Sequence, residues 1–177
     1  MTAARVVTGD ITRLDAQGEE VDAIVNAANE QLAAGSGVCG AIFAAAGHAP
    51  LAEACRHVGG CPTGAAVATP AFELERRGVH HIVHAVGPVF TAHGPAEADR
   101  LLASTYRSAL AVAEELGVTR LAVPAISTGV YGFPEERAAA IAVREVLGHE
   151  GALAEVLLVA FDGRAADVLT SALDAAG

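Results

Sequence analysis

Short apolar runs alternate with longer helical patterns along this chain, and this alternation constrains its fold more than any other feature of the sequence. Several of the runs are apolar at consecutive positions, as expected for strands that are buried on both faces of a sheet. Strands are predicted at residues 5–8, 23–27, 65–69, 80–86, 120–125 and 155–161, and helices at residues 37–46, 49–58, 96–116, 134–148 and 164–175. This alternation predicts an α/β fold, in which helices pack on a central sheet.

The length and composition favour one folded domain over residues 1–177. Of the 177 residues, 53% are hydrophobic and 18% are charged, which suits a globular core rather than a disordered segment. No linker, internal repeat or low-complexity tract divides the sequence. No apolar run reaches the roughly 18 to 20 residues of a membrane span, and the N-terminus leads into a strand without an apolar leader. We therefore expect a cytoplasmic protein with no membrane partner.

The charged and metal-binding side chains argue against several classes of function. The net charge is −10, so direct nucleic-acid binding is not expected, because it depends on basic side chains at the phosphates. All 11 basic residues are arginine, which excludes a lysine-dependent phosphate loop and Schiff-base chemistry. Cys39, Cys55 and Cys61 form no paired motif, and the histidines at 80, 81 and 84 share one strand without further ligands. We predict no metal and no cofactor.

Two glycine-rich loops, at residues 35–40 and 127–132, each follow a strand-like run and lead toward a helix. Backbone N–H groups at such a place cradle phosphate, so two loops without lysine predict a diphosphate held between them. The first loop also matches the Gly-x-Gly-x-x-Gly pattern of dinucleotide-binding folds. That alternative is disfavoured, because residues 28–34 separate the strand from the first glycine and the expected acidic residue is absent further on.

Six sequence blocks, in order and spread over about residues 5–162, closely resemble the macrodomain family. They are GDIT at 9–12, DAIVNAAN at 22–29, GVCGAI at 37–42, CPTG at 61–64, VHAVGP at 83–88 and PAISTGVYGFP at 124–134. The sequence is most similar to the MacroD-type branch. The resemblance implies a three-layer α/β/α fold with a mixed central sheet, and a cleft at the strand ends that binds ADP-ribose.

The resemblance also implies roles for the polar residues of the first two blocks. It gives Asp10 as the acceptor for the adenine amino group and the backbone N–H of Ile11 as a contact to the ring. It gives Asn29 as the contact to the distal ribose hydroxyls, and Asn26 as a residue that ties down the loop backbone. From the residues alone, Asp10 equally suits a turn or a helix N-cap, and both asparagines suit turns.

The two loops and the end of the last strand supply the other ligand contacts that the resemblance implies. Tyr131 is expected to cover the distal ribose and, with Asn29, to form the catalytic pair, although a lone tyrosine is more often a surface or core residue. Phe161 is expected either near the adenine or in the core. The predicted contacts of the first loop are Gly37, Val38, Cys39 and Gly40, and those of the second are Ser127, Thr128, Gly129, Val130 and Tyr131.

The sequence departs from the MacroD-type pattern inside the first loop. Cys39 stands where an aspartate is thought to position the attacking water, and Phe43 stands where a histidine is usual. A neutral thiol is a poor base and a weak acceptor, so we expect Cys39 to be a small neutral lining residue. We predict a hydrolase that removes mono-ADP-ribose from protein side chains, most readily the esters of Glu and Asp, by substrate-assisted attack of water. The alternatives are a non-catalytic ADP-ribose-binding module and an O-acetyl-ADP-ribose deacetylase. The expected partner is ADP-ribose or a mono-ADP-ribosylated protein.

Overall fold

Six strands form one mixed sheet in the computed structural model, which describes residues 2–177. Their order across the sheet is β1-β6-β5-β2-β4-β3. Neighbouring strands are parallel except at one edge, where β3 pairs antiparallel with β4. The strands are β1 (Ala3–Thr8), β2 (Ala23–Ala28), β3 (Ala66–Pro70), β4 (His81–Val86), β5 (Arg120–Pro124) and β6 (Glu155–Ala160).

Helices cover both faces of this sheet. They are α1 (Gly37–Ala46), α2 (His48–Val58), α3 (Pro95–Glu115), α4 (Glu135–Leu147) and α5 (Gly163–Ala176). Side chains alternate between the two faces along a strand, so Ile24 of β2 packs with α1 and α2 while Val25 packs with α3 and α4. Two apolar cores therefore lie on opposite sides of the sheet, and the predicted three-layer α/β/α fold is confirmed.

The helices begin and end at signals that are visible in the sequence. Asp162 caps α5, because its side chain accepts a hydrogen bond of 2.9 Å from the N–H of Ala165. Pro134 immediately precedes α4, with Glu135 and Glu136 in the first turn, where the helix dipole favours negative charge. Every predicted strand and helix is present within two residues of its expected bounds.

The structure adds three short 3₁₀ helices that the sequence analysis did not predict, at Ile11–Gln17, Phe72–Arg77 and Phe90–Ala92. Such short segments lack a full period of the helical spacing of apolar residues. The sequence therefore predicts loops at these positions. No single helix among residues 2–177 is both long and apolar enough to cross a membrane; α1 and α2 reach that length and composition only as a pair bent by 110°.

Candidate functional site

A cleft of about 220 Å³ opens at the carboxyl ends of β2 and β5, which are neighbours in the sheet. Residues 36–39, at the start of α1, form one wall, and residues 125–131, after β5, form the other. The structure thus brings the two glycine-rich loops together across one cleft. In open α/β sheets, ligands bind at this position, outside the carboxyl ends of the strands.

The first wall presents the positive end of a helix to the cleft. Ser36 is the N-cap of α1, and its side chain makes no capping hydrogen bond. The N–H groups of Gly37, Val38 and Cys39 belong to the first turn and have no intrahelical acceptor. These three donors and the helix dipole together favour an anion at this wall.

Gly40 has a different place from its neighbours. It does not line the cleft, and a Cβ atom at this position would lie 2.6 Å from the backbone oxygen of Gly35. Gly40 therefore allows the loop to fold back closely on the helix, and its part in the site is to shape the first wall.

The second wall is a tight backbone loop with unpaired N–H donors. The N–H of Phe133 donates to the carbonyl of Ser127 at 2.9 Å, and the N–H of Phe90 donates to the carbonyl of Tyr131 at 2.9 Å. Ser127 has a left-handed backbone, with φ of 68°. Within the described residues 2–177, the N–H groups of residues 128–131 have no acceptor. Consecutive free donors of this kind form a concave anion-binding surface.

Gly87, which follows β4, lets the second wall approach the sheet. A Cβ atom there would lie 2.2 Å from Ser127 Oγ and 2.6 Å from Ile126 Cγ2. The hydroxyl of Ser127 is buried and has no hydrogen-bond partner in the described part of the chain. An unpaired buried hydroxyl costs free energy, so this close approach is unfavourable for Ser127.

Cys39 lies in the first wall of the cleft. Its side chain is 6% exposed, accepts a hydrogen bond from Asn26 Nδ2 at 3.7 Å and donates one to the carbonyl of Ala33 at 3.7 Å. The sulfur therefore has a donor on one side and an acceptor on the other. Nearby Phe43 is buried in the core and packs against the ring of His48, with ring centroids 5.6 Å apart.

Asn29 is fixed by its own loop. Its Nδ2 donates to the carbonyl of Ala33 at 3.0 Å, and its Oδ1 accepts from the N–H of Ala33 at 2.9 Å. One N–H and one lone pair of the amide remain for a ligand. Asn29, rather than Asn26, is therefore the residue that ties down the loop backbone, and this corrects the expectation for Asn26. Asn26 is instead buried in the sheet beside His84.

The residues predicted for the adenine lie beyond this cleft, at the carboxyl ends of β1 and β6. The N–H of Gly9 donates to the carbonyl of Ala160 at 2.9 Å and holds the two strand ends together. Asp10 is a cap, as the residues alone suggested: Oδ1 accepts from the N–H of Thr12 at 2.9 Å and from its hydroxyl at 2.7 Å. Its second carboxylate oxygen has no partner among residues 2–177, which leaves an acceptor for a ligand.

Phe161 is 88% exposed, so the alternative that placed its ring in the core is wrong. The side chain of Ile11, in contrast, is buried at 3% exposure, so only its backbone is suited to a ligand contact. The ring of Phe161 lies on the same edge of the sheet as Asp10, because β1 and β6 are parallel neighbours. An exposed aromatic side chain and a free carboxylate oxygen at neighbouring strand ends suit a flat, amino-bearing ring.

Seven of the predicted ligand contacts line the cleft directly, and the sequence analysis missed six further lining residues. None of the lining side chains is charged. Burial, and after it the carboxylate of Glu30, raises the pKa of Tyr131, so its phenol remains a hydrogen-bond donor at neutral pH. The seven are Gly37, Val38, Cys39, Ser127, Gly129, Val130 and Tyr131, and the six missed are Ala27, Ala28, Ser36, Gly87, Ala125 and Ile126.

The missed residues are small or apolar and carry no chemistry of their own. Residue type therefore gave no signal for them, and their closeness to the motif blocks was the one pointer in the sequence. The other predicted contacts are absent from the lining of the cleft, namely Gly40, Asn29, Asp10, Ile11 and Phe161. Thr128 faces a separate apolar cavity of about 50 Å³ between β5, α4 and α5.

Comparison with known proteins finds similar sequences and similar folds among macro domain proteins. The chain is 47% identical over 178 residues to a macro domain-containing protein of Streptomyces coelicolor, covering 98% of this chain and 99% of that protein. Its fold is similar to that of an Oceanobacillus iheyensis macrodomain variant solved with ADPR, at a TM-score of 0.87 and 35% identity, over 98% of this chain and 92% of that one.

A Trypanosoma brucei macrodomain in complex with ADP-ribose is also similar, with a TM-score of 0.81, 31% identity, and coverage of 98% of this chain and 69% of that one. The Macro domain family model matches residues 25–142, a segment that contains the end of β2, the first wall, β4 and the second wall. With the mixed sheet, the two facing loops and these matches taken together, the chain belongs to the Macro domain family.

Proposed function

We propose that this protein binds ADP-ribose, with the diphosphate held between the two walls of the cleft. The observation that carries the proposal is that both walls of the cleft hold unpaired backbone donors: the first-turn N–H groups of α1 on one side and those of residues 129–131 on the other. A diphosphate carries charged acceptor oxygens on two phosphorus atoms, which suits a donor set on each side. The relatives solved with ADPR and ADP-ribose support the same ligand.

We assign the rest of the ligand from the free polar groups on either side of the cleft. The adenine lies toward the carboxyl ends of β1 and β6, where Asp10 accepts from the amino group and Phe161 packs against the ring. The distal ribose lies at the opposite end, where the free N–H and lone pair of Asn29 meet its hydroxyls and Tyr131 covers it. A mono-ADP-ribosylated protein then joins the ligand at that end.

The activity we propose for the bound state is hydrolysis of ester-linked mono-ADP-ribose. Water attacks the anomeric carbon of the distal ribose, the bond from that carbon to the carboxylate oxygen of Glu or Asp breaks, and the freed carboxylate leaves. The proton of the water passes to a diphosphate oxygen, because no side chain on the cleft lining is a carboxylate. Asn29 and Tyr131 orient the ribose and the water.

One observation favours a second function, a binding module that reads ADP-ribose without cleaving it. The position expected to activate water holds Cys39, which has no carboxylate and whose sulfur already bonds to the carbonyl of Ala33. Loss of one acid or base group lowers a rate by about 10² to 10⁴-fold. The backbone donors for the diphosphate are present in both walls, whereas position 39 has no acid or base to activate water.

A release assay with a protein mono-ADP-ribosylated on glutamate separates the two functions. Calorimetry is run in parallel on the wild type, on Asn29→Ala and on Gln31→Ala, an exposed neighbour that serves as the matched control. Hydrolysis predicts release by the wild type and by the Gln31 variant, and loss of release with Asn29→Ala. Binding of ADP-ribose without release over hours identifies a reader, and absence of binding refutes both functions.

A further inference from the structure

A line of buried polar side chains crosses three strands beneath the cleft. Thr69 of β3, His84 of β4 and Asn26 of β2 are 4%, 0% and 1% exposed. Thr69 Oγ1 lies 2.9 Å from His84 Nε2, and His84 Nδ1 lies 3.1 Å from Asn26 Nδ2. The order of these strands in the sheet is β2-β4-β3, so the three side chains form one continuous path.

The direction of the hydrogen bonds follows from the chemistry of the groups. Complete burial lowers the pKa of His84 to about 4, so its ring is neutral at neutral pH. Asn26 Nδ2 only donates, so His84 Nδ1 accepts and the ring proton is on Nε2. That N–H donates to the hydroxyl of Thr69. The tautomer is assigned here from the hydrogen-bond partners.

The same path continues to the cleft. Asn26 Nδ2 also donates to the sulfur of Cys39 at 3.7 Å, and Cys39 donates to the carbonyl of Ala33 at 3.7 Å. That carbonyl also accepts from Asn29 Nδ2, and the N–H of Ala33 returns a bond to Asn29 Oδ1. The path therefore ends at the amide that we propose contacts the distal ribose.

We propose that His84 and Asn26 are positioning residues for this amide. They act through Cys39 on the carbonyl of Ala33, and so hold the side chain of Asn29 in one orientation. Cys39 suits this role because a thiol both accepts from Asn26 and donates to Ala33. An ionised carboxylate at position 39 has no proton to donate to that carbonyl.

This proposal rests on the proposed function for its ligand, but the orientation of Asn29 is measurable without one. The test compares His84→Leu, which removes the acceptor for Asn26, with His84→Asn, whose Oδ1 replaces Nδ1 as that acceptor. The side-chain amide resonances of Asn29 are recorded by ¹H–¹⁵N NMR in the ligand-free proteins, and ADP-ribose affinity is measured by calorimetry. Ile141→Val, in the core on the opposite face of the sheet, is the control for a general loss of packing.

With His84→Leu we expect the Asn29 resonances to move and the affinity to fall about three- to tenfold, the effect of one hydrogen bond. His84→Asn restores both, and Ile141→Val changes neither. If His84→Leu does not fold, the isosteric Thr69→Val replaces it, with a smaller change in the same direction. Unmoved Asn29 resonances overturn the proposal, as does a His84→Asn variant no better than His84→Leu. If the wild type does not bind ADP-ribose, the proposed function fails, and the resonances still decide the positioning role.

Discussion

Replacing Gly40 by alanine tests the close packing that shapes the first wall of the cleft. Gly40 lies inside α1, where helix propensity alone predicts that alanine stabilises the protein by about 1 kcal/mol. The structure predicts the opposite sign. The new Cβ would lie 2.6 Å from the carbonyl oxygen of Gly35, and this oxygen belongs to the backbone, so no side chain can rotate away.

The magnitude follows from these two opposing terms. Ordinary contact begins near 3.4 Å, so the segment at residues 35–36 or the tip of α1 must shift by several tenths of an ångström. Overpacking of this kind costs about 1–3 kcal/mol, and subtracting the propensity gain leaves a net loss of about 1 kcal/mol. The same shift moves the first-turn N–H groups away from a bound diphosphate. Each charge-assisted hydrogen bond lost lowers the affinity about tenfold or more.

The assay is urea unfolding of Gly40→Ala beside Gly129→Ala, with ADP-ribose calorimetry on both proteins. Gly129 is the matched control for stability, because a Cβ atom there meets nothing within 4 Å and its backbone is not left-handed. We expect the unfolding free energy of Gly129→Ala to stay within about 0.5 kcal/mol of the wild type. A Gly40→Ala protein as stable as the wild type, with unchanged ADP-ribose affinity, would refute the reasoning.

Three further predictions concern single side chains. The pKa of His84, about 4 in the folded state, lies below the unfolded value of 6.5, so the unfolded chain takes up the proton first. The free energy of unfolding should fall by up to about 3 kcal/mol as the pH drops from 6.5 to 4. Urea unfolding of His84→Leu at a series of pH values should lack this contribution to the pH dependence. Phe161→Ala should leave stability unchanged, because the ring is 88% exposed, yet lower ADP-ribose affinity by about tenfold. Unchanged affinity in calorimetry would contradict adenine binding at the carboxyl ends of β1 and β6. Cys39→Ser should keep affinity and any release rate within about twofold, since a hydroxyl accepts and donates as the thiol does, and a large loss of release would indicate a thiolate.

The sequence was sufficient to predict the elements and the approximate place of the site. Strands and helices are encoded by local periodicity, so all of their bounds were found within two residues. The loops at 35–40 and 127–132 were recognisable because glycine and strand ends are local signals. The two loops lie on either side of one cleft because β2 and β5 pair in parallel, which brings the carboxyl ends of both strands to the same end of the sheet.

The errors concern side chains whose partners are distant in the sequence. Asn26 and His84 are 58 positions apart, and no local pattern shows that they meet in the sheet. Asn29 and Asn26 look alike in the sequence block, yet one lies on a loop and the other at a buried strand position. Gly40 sits in a glycine-rich loop like its neighbours, but only the fold shows that it faces Gly35. Pairing across the fold, rather than residue type, distinguishes these roles.

The position of β1 at the edge of the sheet has a consequence for how the protein acquires its binding site. In the described structure its neighbour is β6, and Arg5 of β1 bonds to Glu155 of β6 across 150 positions of sequence. During synthesis on the ribosome, β1 therefore has no strand to pair with until β6 has emerged. The adenine end of the proposed site is assembled from these two strands and forms last. ADP-ribose should consequently report completed folding, because a nascent chain that lacks β6 offers only the loop end of the cleft.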